Sequence, residues 1–307
     1  MRKTHDCIGL THAAVQQGAV PQGRPYTARM NATTSLPSGR TAFIGGGNMA
    51  SAVIGGLLQA GLPADRLLVI EPWAEQAQRL RSQWGLEVHE AAHPSLADAQ
   101  TVVWAVKPQL FNEAAAPCAA HIGGALQLSV MAGIRSDALA CASGSARVVR
   151  CMPNTPALIG QGMTGLYASP AVGADERARV EALLAPTGRL LWVDREADLD
   201  AVTALSGSGP AYFFYLIEAM TQAGVELGLS AAQARTLAEG TAAGAAALSA
   251  GSDETPEVLR QRVTSKGGTT HAAISTMEAA GMKATVIAAV HAAARRAAEL
   301  GDEFGRA

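Results

Sequence analysis

The stretch Thr41-Ala42-Phe43-Ile44-Gly45-Gly46-Gly47-Asn48-Met49-Ala50 decides how the rest of the chain is read. A short apolar run of strand type enters three glycines directly, and a segment of helical period opens at Asn48. The spacing Gly45-x-Gly47-x-x-Ala50 is the dinucleotide fingerprint in its alanine form. Each small residue has a mechanical reason. Gly45 permits the tight turn, Gly47 admits a pyrophosphate close to the backbone, and Ala50 lets the helix lie close on the strand. The pyrophosphate then meets unpaired N–H groups at the positive end of the helix.

Working outward, the chain alternates. Asn48–Ala60 has helical spacing and Gly61 closes it; Leu67–Ile70 is a second apolar strand ending at Glu71. Trp73–Trp84 is helical and Gly85 follows it. Thr101–Val106 is β-branched and uninterrupted, as a strand covered on both faces should be. Leu126–Val130 and Val148–Met152 are further strands, with a helix Ser136–Ala142 between them and Ser136 as its N-cap. Gly165–Ala168 and Arg189–Val193 read as edge strands around a helix Asp175–Ala185. Strand and helix in alternation indicate a doubly wound, mostly parallel sheet of Rossmann type over residues 41–193.

Past Asp194 no strand pattern remains, so residues 194–307 read as an all-helical second domain. Pro210–Leu227 is apolar almost all round and is expected to be buried. Ser230 caps an alanine-rich helix to Ala250, Thr255-Pro256 starts another, and Thr270–Ala280 and Met282–Leu300 complete the set. An all-round apolar helix needs more cover than so small a domain provides, which predicts a homodimer through the helical domains. Residues 1–40, rich in Gly, Pro, Gln and Thr, read as a disordered tail. Pro21, Pro25 and Pro37 break any amphipathic leader there, and Met30 is an alternative start.

The bulk numbers narrow the function classes. The chain has 307 residues, 49% hydrophobic and 16% charged, with a formal net charge of −2. That supports a real core and speaks against nucleic acid as a partner. No apolar run is long enough to span a bilayer. The four cysteines are scattered without a C-x-x-C pair and the histidines show no H-E-x-x-H, so no metal site is expected and a cytoplasmic, reducing location is.

The candidate chemistry lies at strand ends. Ile44, Gly45, Gly46, Gly47, Asn48 and Met49 form the first turn. Glu71, at the end of the second strand, stands where an acid accepts hydrogen bonds from the adenosine ribose and repels a 2′-phosphate, a lean toward NADH over NADPH. Trp73 beside it either stacks on adenine or packs. Ala105-Val106-Lys107-Pro108 and Met131-Ala132 end later strands at the same carboxyl edge, where a cofactor would lie across them. Two further turns, Ser206–Pro210 and Thr264–Thr270, precede helices. Each is either an anion seat or a well-capped loop.

Together these segments resemble the pyrroline-5-carboxylate reductases. The likeness spans Thr41 to Leu300 and rests on Phe43–Ala50, Ala105–Pro108, Met152–Ala157, Leu205–Tyr212 and Val263–Thr270, in that order. It implies reduction of the cyclic imine 1-pyrroline-5-carboxylate to L-proline with NADPH or NADH, by dimers that assemble further. It also implies that Ser265, Gly267, Gly268, Thr269 and Thr270 hold the substrate, its carboxylate on their backbone N–H groups. Thr270 would then present its hydroxyl to the ring nitrogen as the catalytic group. Two residues depart from the family pattern: Lys266 stands where proline is usual, and Glu71 where NADPH-using members have small or polar residues. The rival readings are a β-hydroxyacid dehydrogenase-like oxidoreductase and a non-catalytic nucleotide-binding sensor. The first group needs a lysine in the helix Pro210–Leu227, which has none; the retained Thr264–Thr270 loop speaks against the second.

Overall fold

A computed structural model describes residues 36–304. The tail expected over residues 1–40 falls, up to residue 35, outside the described residues. The sheet half runs β1 (Arg40–Ile44), α1 (Asn48–Gln59), β2 (Leu67–Ile70), α2 (Ala74–Trp84), β3 (Glu87–His89), β4 (Ala99–Trp104), α3 (Phe111–Ile122), β5 (Leu126–Ser129), α4 (Ser136–Ser143), β6 (Val148–Met152), β7 (Gly162–Ala168), α5 (Ala174–Leu184) and β8 (Gly188–Trp192). These strands form one eight-stranded sheet in the order β3-β2-β1-β4-β5-β6-β7-β8. All neighbours are parallel except β6 and β7. The strand order reverses between β1 and β4, which makes that boundary the switch point where a ligand crevice opens.

The continuous apolar strands are explained by burial on both sides. Phe43, Val69 and Val103 face a core closed by α1, α2 and α5. Ala42, Ile70 and Trp104 face the opposite one, closed by α3 and α4. Trp104 places its indole N–H on Gln127 Oε1 at 2.9 Å, and the Gln127 amide donates to the Ile122 and Ala125 carbonyls, so the buried Gln127 side chain is fully engaged.

Several sequence expectations need correction. β3 has no strand signal in the sequence, because only Val88 of its three residues is apolar and buried. α3 is a further helix beyond those expected; Phe111, Ala115, Cys118 and Ile122 form its buried stripe, and Pro117 interrupts the pattern. Ser136 is not an N-cap: Arg135 holds that position, and the Ser136 hydroxyl and N–H donate to Glu196 at 2.5 and 2.7 Å. A carboxylate from the other half of the chain thus replaces the local cap. The segment Gly165–Ala168 belongs to β7, which lies inside the sheet, and β8 is the edge.

Beyond Trp192 the described residues contain no strand. The chain continues as α6 (Asp198–Val202), a π-type turn over Thr203–Gly207, α7 (Gly209–Glu226), α8 (Ala231–Ala250), α9 (Pro256–Arg262), α10 (Thr269–Ala279) and α11 (Met282–Phe304). The expected caps hold. Ser230 Oγ accepts from Gln233 N while the Gln233 side chain accepts from Ser230 N, and Thr255 Oγ1 accepts from Val258 N ahead of Pro256. The expected burial of α7 does not occur within one chain. It packs on α8, yet Phe213, Phe214 and Tyr215 are 62, 63 and 75% exposed. α11 returns to the sheet half, where Arg135 donates to Gly301 O and Asp302. No single helix among the described residues is long and apolar enough to cross a membrane.

Candidate active site

The crevice begins with Gly45. Its φ of +95° lies in the left-handed region, and a Cβ there would sit 2.7 Å from Ala105 O, so only glycine lets β1 and β4 end this close together. Gly46 donates its N–H to Glu71 Oε2 at 2.7 Å, and Gln76 Nε2 donates to Gly46 O at 2.6 Å. Gly47 differs from both. Its backbone suits any residue, and a Cβ would meet no protein atom within 4 Å. Internal packing therefore does not explain this glycine; room for a ligand above the helix start does. Gly47 is the N-cap of α1 and supplies no side-chain cap, so the first N–H groups of α1, from Asn48 and Met49 onward, stay open toward that space. Ala50 is buried against the sheet, as close packing of α1 requires.

Glu71 is held more tightly than a solvated loop acid would be. Its carboxylate is buried, and it accepts from Gly46 N through one oxygen and from Trp73 N, at 2.9 Å, through the other. Trp73 is 63% exposed beside it, so packing against the chain does not account for the indole. Ala105 and Val106 follow β4, with Ala105 N donating to Ile44 O across the switch point. Lys107 caps the short turn Pro108–Leu110 and is exposed. Met131 is buried after β5, its N–H on Ser129 Oγ at 3.2 Å, and Ala132 follows it half-buried.

The helical half is docked on the same carboxyl edge by residues whose role the sequence did not disclose. Asn154, after β6, accepts from Met163 N and donates to Ser206 O at 3.1 Å. A Cβ on Gly207 would strike Met152 Cε at 2.7 Å. The Met152–Ala157 and Leu205–Tyr212 segments are thus one contact, with Tyr212 OH closing the turn on Ala204 O. Glu196 binds Arg150 at 2.8 Å as well as Ser136. Burial pushes the Glu196 carboxyl up, but the Ser136 hydroxyl and then Arg150 outweigh it and hold the group below the ordinary carboxylate range.

Thr264–Thr270 forms a turn closed by Gly268 N on Ser265 O at 3.0 Å, with Gly267 at φ +78°. Gly268 is the N-cap of α10 and has no side chain to fill it, so the leading N–H groups of Thr269 and Thr270 face outward. A Cβ on Gly268 would lie 2.7 Å from Ser265 Oγ. Within one chain this turn is not brought to the switch point: α10 packs chiefly on α11, and the hydrogen bonds of residues 260–270 stay inside the helical half.

A reversing parallel sheet with an uncapped, glycine-led helix at its switch point defines the class: a nicotinamide-dependent oxidoreductase of Rossmann type, followed by an all-helical half. Comparison with known proteins narrows it. Residues 196–300 match the family model described as pyrroline-5-carboxylate reductase dimerisation, and residues 40–133 match NADP oxidoreductase, coenzyme F420-dependent. A pyrroline-5-carboxylate reductase of Pseudomonas aeruginosa is 47% identical over 271 residues, 87% of this chain and 98% of its own length. The Haemophilus influenzae protein of the same name is 39% identical, over 84% of this chain and 96% of its own. Among solved structures, a Coxiella burnetii pyrroline-5-carboxylate reductase aligns with a TM-score of 0.80 at 34% identity, covering 85% of this chain and 98% of that one. A Plasmodium falciparum pyrroline carboxylate reductase with NADP bound gives 0.77 at 27% identity, over 87% and 100%. The chain belongs to the pyrroline-5-carboxylate reductase family.

Proposed function

We infer that the chain reduces 1-pyrroline-5-carboxylate to L-proline, the last step of proline biosynthesis. The observation that supports this most is the joining of two features in one chain: a helix start left open by Gly47, and a family-specific helical half containing a second open helix start at Gly268. A reduced nicotinamide, when bound, supplies the hydride that the imine carbon accepts. The residues of the chain do the rest. The N–H groups beginning α10, with Ser265 and Gly267 around them, hold the substrate carboxylate. The Thr270 hydroxyl faces the ring nitrogen and supports its proton as the C=N bond becomes CH–NH. No strong acid–base pair is needed, because a cyclic imine is itself basic; positioning supplies most of the rate.

Residues 41–193 serve the cofactor and 194–307 serve dimerisation and substrate, a division supported by the end of β8 at Trp192 and the dimerisation match from residue 196. The chain acts as a homodimer. The uncovered face of α7 supports this, and so does the distance in packing between α10 and the crevice of its own chain, which a second helical half would close. Free thiols at Cys118, Cys141 and Cys151 suit a cytoplasmic setting. NADH is the preferred reductant, because the buried Glu71 carboxylate lies against the glycine turn where a 2′-phosphate would bring like charge. The test is oxidation of NADH and of NADPH with the imine as substrate. Turnover dependent on the imine, with the higher kcat/KM for NADH, is the expected result; cofactor binding without oxidation would favour a sensor instead.

A further inference from the structure

Three side chains outside the crevice converge at the free edge of the sheet. Glu87 and His89 stand two residues apart on β3 and so project from the same face. His93 returns to them from the turn that follows. One ligand atom from each lies within 4.8 Å of the other two. His89 Nε2 is 2.9 Å from a Glu87 oxygen, and the two imidazoles are stacked with centroids 3.8 Å apart and 4° between their planes. Each outer member is fixed by another contact: Arg40 pairs with the second oxygen of Glu87, and the Ser95 hydroxyl lies 2.8 Å from His93 Nδ1.

We propose that Glu87, His89 and His93 form a binding site for one divalent cation of the zinc class, separate from the reductase crevice. Two imidazoles and one carboxylate are a donor set that holds Zn²⁺ with a fourth position left to water. Imidazole also selects zinc, nickel and copper over magnesium and calcium, which need shells of oxygen. In a tetrahedral zinc site neighbouring donor atoms are about 3.4 Å apart, so the trio must draw together and the stacked imidazoles must turn out of parallel to share one ion. Arg40 and Ser95 are the outer partners that orient the Glu87 and His93 donors. The Arg40 charge beside Glu87 also keeps the site weaker than a closed structural zinc site. A cation here ties the edge strand to its following turn. The tie is next to the cofactor crevice, since Glu71 donates its N–H to His89 O at 2.8 Å. The short spacing Glu87-x-His89-x-x-x-His93 matches none of the zinc patterns sought in the sequence, and only the turn of the chain after β3 assembles it.

The test is titration of the chelator-stripped full chain with zinc chloride against a chromophoric competitor at pH 7.5. One zinc per chain is expected at micromolar free metal. His89→Ala and His93→Ala should each weaken that binding about tenfold or more, while His121→Ala, on α3, leaves it unchanged. Melting curves of the metal-free variants exclude unfolding as the cause. Absence of zinc binding by the wild-type chain at 100 µM, or retention of its affinity within twofold in both the His89 and His93 variants, would overturn the proposal.

Discussion

Thr270 and Glu71 are the residues on which the proposed chemistry and the proposed cofactor choice turn. Thr270 is the second residue of α10, behind the unfilled cap at Gly268. Thr270→Ala should therefore lower kcat for the imine by about 100-fold, the lower range for a positioned proton donor. The same change should leave NADH binding within twofold by fluorescence titration, because the Gly45–Ala50 turn is untouched. Glu71 is different, since it works in the fold and at the site together. Its two oxygens satisfy two backbone N–H groups, and Glu71→Gln leaves one of them facing an amide N–H. The expected outcome is a stability loss of about 1–3 kcal/mol for the buried unpaired donor. The ratio of kcat/KM for NADPH over NADH should rise about tenfold as the like charge is removed, and parallel steady-state assays with both nicotinamides read that ratio directly.

At the scale of elements, the joint between the two halves is a carboxylate clasp. Glu196 replaces a helix cap for α4 through Ser136 and neutralises Arg150 on β6. Against the upward push of burial, the Ser136 hydroxyl and the Arg150 guanidinium hold its carboxyl below the ordinary carboxylate range in the folded chain. The clasp therefore stabilises fully above that range, and the contribution is lost as pH falls through the lower folded value. Glu196→Gln should destabilise the protein near neutrality and flatten the acid limb, so the melting temperatures of variant and wild type should converge as the pH falls below the ordinary carboxylate range. This clasp was hidden in the sequence because its partners are 46 and 60 residues apart. Ser136 looked like a cap from its position alone, and nothing local revealed that a distant acid would do the capping. The same limit explains Asn154: the segment was visible as a strand end, but its bond to Ser206 joins elements that only the fold brings together. By contrast β1, β2 and β4 are legible in the sequence, because strands buried on both faces leave an apolar record. β3 left almost none, having one buried residue. The glycine turn was legible in full, because φ and close approach at Gly45 exclude every other residue type.

For the whole molecule, one chain leaves much of its helical half's apolar surface uncovered. The sheet half buries its apolar side chains on both faces, whereas α7 exposes Phe213, Phe214 and Tyr215 in a row and the later helices expose Leu237, Val286 and Ile287. Large apolar side chains exposed together mark an interaction surface. It belongs to the half that matches a dimerisation family, and α10, with the candidate substrate turn, lacks packing against the sheet of its own chain. Association and activity are therefore expected to be coupled, since the proposed substrate turn belongs to the half that carries this exposed apolar surface. Covering one phenylalanine removes about 2–3 kcal/mol of exposure cost, and a symmetric interface covers it on both sides. Phe214→Asp should accordingly weaken dimerisation by about 100-fold or more. Light scattering at micromolar concentration should give a dimer mass for the wild-type chain and a monomer mass for the variant. Imine reduction should fall with the dimer fraction while NADH binding persists, because the nucleotide turn lies wholly within one sheet half. A wild-type monomer that reduces the imine at full rate would break the coupling.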